Sequence, residues 1–188
     1  KGHQRFVWNL RYKNPRGANR GLAIAAVQYN TVSSPVGPFV TPGTYKVQLK
    51  VNGQILEQNL TVKLDPRSEM SVEAIELQTN LSMQCYTNYE KLQKIREVID
   101  KNKNATTTQL KFRGRGAPNN GNTLYGSIKQ TALANETIVG LQSKLLFLLV
   151  VLQDSDVKPT AKTEAAAILL NKRVKEMEAI WDNLKPKR

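Results

Sequence analysis

The hydrophobic pattern changes period at Asp65-Pro66-Arg67, and no other feature constrains the fold of this chain as strongly. Before that point apolar residues alternate with polar ones; after it they recur every three or four positions. A period of two belongs to a strand with one covered face, and a period near 3.6 to a helix with one covered stripe. The expected class is α+β, with an antiparallel β-segment over 1–66 and a three-helix bundle over 67–188. Pro66 has no backbone donor to carry a strand ladder onward, so the boundary falls there.

Within the β-segment the clearest signal is a hairpin. Tyr45, Val47, Leu49 and Val51 alternate with Lys46, Gln48 and Lys50. Asn52-Gly53 follows, and Leu60, Val62 and Leu64 then alternate with Thr61 and Lys63. Asn-Gly suits a type I′ turn, because both of its central residues need positive φ. Residues 6–12 predict an earlier strand, with Phe6, Trp8, Leu10 and Tyr12 on one face, ended by Asn14-Pro15-Arg16-Gly17. An alanine-rich second strand is expected over 22–29. The strand at 6–12, and whatever precedes Lys1, are the expected cover for the hairpin's apolar face. A strand so close to Lys1 suggests a C-terminal piece of a longer protein.

Ser71 is a good N-cap with Glu73 in the first turn behind it. Ile75, Leu77, Leu81, Cys85, Asn88, Leu92, Ile95 and Ile99 then predict a helix over about 71–103. Residues 104–124, rich in Thr, Gly and Asn, are expected to form a mobile loop. A second helix is expected over 127–153, its stripe running through Ile128, Leu133, Ile138, Leu141, Leu145 and Leu149. Thr160 is expected to cap a third over 160–184, striped by Ala165, Ile168, Leu169, Val174, Met177, Ile180, Trp181 and Leu184. Three helices joined by two loops, each with one apolar stripe, imply an antiparallel three-helix bundle.

Chemistry-bearing residues are sparse. One His and one Cys, His3 and Cys85, cannot supply a zinc set, and no run resembles a calcium loop. His3 reads as a solvated side chain, and Cys85, on the apolar stripe, as a small hydrophobe. The acids on the helices alternate with lysines as on a solvated face, and Asp65 reads as a structural cap. No catalytic residue, cofactor or metal is therefore assigned. The longest unbroken apolar run, 145–152, is eight residues, far short of the ~20 that cross a bilayer. The net charge of +13 allows an acidic partner, a nucleic acid, an anionic surface or simply a solvated basic surface. Arg113 and Arg115, alternating with glycine and flanked by Phe112 and Tyr125, form the candidate interaction surface. They lack the interleaved aromatics of a stacking platform, so nucleic acid is disfavoured. The Asn-x-Ser/Thr sequences at Asn59, Asn80, Asn104 and Asn135 read as chance, since most fall inside predicted helices or strands.

Three stretches carry a family resemblance. They are Arg5-Phe6-Val7-Trp8-Asn9-Leu10-Arg11-Tyr12, the run from Gly37-Pro38-Phe39 to Tyr45-Lys46-Val47, and Leu60-Thr61-Val62-Lys63-Leu64-Asp65-Pro66-Arg67 leading into a long helix. Their order resembles the C-terminal region of bacterial, Bacteroidetes-type sortilin-like or Asp-box (BNR) β-propeller proteins, often labelled glycosyl hydrolases. Gln4 stands where that pattern has Asn, and Asn9 where it has Asp. The resemblance implies an immunoglobulin-like β-sandwich, incomplete in this chain, followed by a helical tail. It implies secretion to the periplasm or cell surface, and a non-catalytic accessory role beside an upstream propeller or another protein surface. Any hydrolase activity would belong to that propeller, since Asp-box repeats are absent from this sequence. Association through an unfinished β-edge is a further expectation. The alternatives are a glycoside hydrolase in its own right and a basic nucleic-acid-binding domain.

Overall fold

A computed structural model describes residues 2–3, 5–18, 35–112, 137–154 and 156–184, with backbone only over 102–112 and at 184. Strands β1 (Gly43–Val51) and β2 (Gln54–Val62) form a two-stranded antiparallel sheet, and helices α1 (Val72–Phe112), α2 (Ile138–Gln153) and α3 (Ala161–Leu184) follow. The class is α+β as expected; two strands are a hairpin and do not make a sandwich.

The hairpin forms where the alternation and turn chemistry place it. Asn52 and Gly53 both take positive φ, 49° and 81°, between the paired residues Val51 and Gln54. No atom would crowd a Cβ at Gly53, so a substitution there acts through backbone strain alone. Gly53→Ala should cost the hairpin about 1–2 kcal/mol. The measurable result is roughly tenfold faster amide exchange in β1 and β2 with helical circular dichroism unchanged. The helices are spared because neither strand comes within 8 Å, Cα to Cα, of any helix.

The strand expected over 6–12 does not form. Leu10 turns into the left-handed region at φ 57°, which breaks the alternation, and pairing is reduced to a single bridge between Arg11 and Phe39. Around that bridge Tyr12 N donates to Pro38 O and Val40 N to Leu10 O, both at 2.9 Å. Residues 10–13 and 37–40 thus run side by side as a short extended ribbon. Gly37 is obligatory in it, because a Cβ there would strike the carbonyl oxygens of Tyr12 and Lys13. The strand expected over 22–29 lies outside the described residues.

Helix α1 starts where Ser71 Oγ accepts from Ala74 N at 3.2 Å. It runs to Phe112, past the end expected near 103, so residues 104–112 are helix rather than loop. No Pro or Gly interrupts Val72–Phe112; Thr106, Thr107 and Thr108 lower helix propensity without removing a hydrogen bond. The remainder of the expected loop, 113–124, is outside the described residues. Helix α2 begins at Ile138, with the Oγ1 of Thr137 accepting from Gly140 N at 3.0 Å; residues 127–136 are not described. Thr160 caps α3 through Thr163 N at 3.3 Å.

The core is built from all three helices: Cys85, Tyr89, Leu92, Ile95 and Ile99 of α1 meet Ile138, Leu141, Leu145, Leu149 and Leu152 of α2 and Ala167, Leu170, Val174 and Met177 of α3. In α3 the stripe differs from the expected one, because Ala165, Ile168 and Leu169 are exposed. The positions 167, 170, 174 and 177 repeat at three and four residues, and Ile168 and Leu169 lie one and two steps of about 100° away from that line.

Polar pairs pin the helices in register. The Nε2 of Gln153 donates to the fully buried Ser82 Oγ at 2.8 Å, and that of Gln142 to Gln93 Oε1 at 2.9 Å. Both pairs join α1 to α2 in one antiparallel register. Asn88 Nδ2 donates to Asn171 Oδ1 at 3.1 Å, and Lys91 pairs with Glu178 at 3.3 Å, so α1 and α3 run parallel.

Candidate interaction surface

The hairpin pairing sorts its side chains onto two faces. Tyr45 opposite Leu60, Val47 opposite Gln58, Leu49 opposite Leu56 and Val51 opposite Gln54 share one face, which carries no charge. The other bears Lys46, Gln48, Lys50, Glu57 and Asn59. There the Lys46 ammonium pairs with Glu57 at 2.9 Å and Gln48 Nε2 donates to the same carboxylate at 2.6 Å, both holding the Glu57 pKa below its ordinary value.

Among the described residues, no helix covers the apolar face. Val47, Leu49, Val51, Leu56 and Leu60 are 40–60% exposed. Trp8 packs at its base: its ring meets Tyr45 edge-on, centroids 5.6 Å apart, while Trp8 Nε1 donates to Arg11 O at 3.0 Å. Tyr45 Oη donates to Thr41 O at 2.6 Å. Phe6 and Val7, which the sequence placed in a covering strand, project into solvent at 90% and 72% exposure. An aliphatic pleated face of this kind is the surface that a second layer covers in a folded sheet protein.

The ribbon, not the hairpin, is fastened to the bundle. Gln153 Oε1 accepts from Phe39 N at 2.8 Å and from Arg11 Nη1 at 3.4 Å. The Arg11 guanidinium lies 3.4 Å over the Phe39 ring and also donates to Gly37 O at 3.0 Å. Further along, Arg16 Nε donates to Glu90 at 2.6 Å and Arg16 Nη1 to Glu97 at 3.2 Å, while Tyr89 Oη donates to Arg16 O at 2.9 Å. A groove of about 530 Å³ opens beside this ribbon, between Ala18 and Pro35 on one side and Tyr89, Arg96, Leu146 and Phe147 on the other.

At the strand-to-helix boundary, Asp65 closes a turn by accepting from Arg67 N at 2.9 Å, and from the Arg67 guanidinium through both carboxylate oxygens, at 3.0 and 2.6 Å. These hydrogen bonds hold its pKa down to about 2. A depressed carboxylate contributes to folding above its ordinary pKa of 3.8, and that contribution is lost as pH falls through about 2. A carboxyl titration followed by NMR should show the low midpoint, and Arg67→Ala should return it toward 3.8.

Phe112, Arg113, Arg115 and Tyr125 are not brought to a described surface: Phe112 is the last residue of α1, with its side chain undescribed, and the other three lie outside the described residues. Cys85 is fully buried, and burial pushes its thiol up to about 12, which leaves it protonated and unreactive at neutral pH. Among the described residues no three His, Cys, Asp or Glu side chains are grouped to hold a metal, and no helix is long and apolar enough to cross a membrane. Comparison with protein-family models, with curated proteins and with solved structures finds no match to this chain.

Proposed function

We propose that the chain is a non-catalytic interaction module, in the accessory role implied by its resemblance to the C-terminal region of secreted sortilin-like, Asp-box propeller proteins. The apolar face of the hairpin, exposed among the described residues, carries this reading. A two-stranded hairpin is marginal by itself in water and gains stability when a further layer covers its hydrophobic side. Among the described residues the helices pack their stripes on one another and do not reach the hairpin. In this reading β1 and β2 are part of an immunoglobulin-like sandwich that another polypeptide segment completes. The module acts at the cell surface or in the periplasm by positioning or capping the propeller.

The experiment is co-purification of the chain with the propeller polypeptide of its proposed parent, alongside a glycoside-hydrolysis screen of the chain alone. A stable complex and no turnover are expected. Reproducible turnover that a single carboxylate substitution abolishes would overturn the reading.

A further inference from the structure

We draw no further inference here: the strongest candidate, the groove between Ala18 and Pro35 of the ribbon and Tyr89, Arg96, Leu146 and Phe147 of α1 and α2, carries nothing, because residues 19–34, which join Ala18 to Pro35 at its rim, lie outside the described residues and nothing in the structure shows what covers it.

Discussion

Leu92→Ala should destabilise the bundle by about 2–5 kcal/mol, as large a loss as truncating any described core leucine. Leu92 is fully buried in the cluster to which α1, α2 and α3 all contribute. Its truncation removes transfer free energy and leaves a cavity that three packed helices, pinned by Ser82–Gln153 and Asn88–Asn171, cannot close by sliding. For a chain of this size the melting temperature should fall by roughly 5–15 °C. Leu169→Ala is the control, because Leu169 is 54% exposed on α3; it should change stability by less than about 0.5 kcal/mol. Thermal and urea unfolding followed by circular dichroism give both values. A loss below about 1 kcal/mol at Leu92 would mean that the helices do not share one core.

Gln153→Ala should have the second largest effect, and a more local one. Its amide joins three parts of the molecule: Nε2 reaches the buried Ser82 of α1, while Oε1 accepts from Phe39 and Arg11 of the extended ribbon. Without it the buried Ser82 Oγ loses its side-chain partner, at about 1–3 kcal/mol for a buried group left unsatisfied, and the exposed Phe39 N loses its tie to the bundle. The ribbon should then detach before the bundle melts. Hydrogen exchange at the Tyr12 and Val40 amides, and trypsin cleavage after Arg11, Lys13 and Arg16, should accelerate while helical content holds. Equal loss of ribbon and helix protection would show that the two unfold as one unit.

Much of the local structure was legible in the residues. Asn52-Gly53 between alternating runs marks the hairpin, since few other pairs accept two positive φ values in succession. Ser71 and Thr160 mark helix starts because their hydroxyls accept from backbone donors that the helix leaves unpaired. Leu141, Leu145 and Leu149 are core because their spacing keeps one line along α2. Of the candidate surface, the alternation of the hairpin was readable, but its exposure was not. The surface expected at Arg113 and Arg115 rests on a local arginine–glycine run, which assigns no neighbours, and it lies outside the described residues.

What the sequence determined by itself is therefore local and periodic: a hairpin, three helices, the core lines of α1 and α2, and the change of period at Asp65-Pro66-Arg67. Each follows from backbone preference and from spacing along a single element. The tertiary structure decided everything that depends on residues far apart. It turned 6–12 from a strand into a ribbon, because Leu10 went left-handed and the pairing reduced to Phe39 and its neighbours. It chose Ala167 and Leu170 over Ile168 and Leu169, because only one of two overlapping spacings faces α1 and α2 together. And on the two sides of Asp65-Pro66-Arg67, where the period changes, neither strand comes within 8 Å of a helix, so an apolar face stays exposed among the described residues, which no sequence pattern can show.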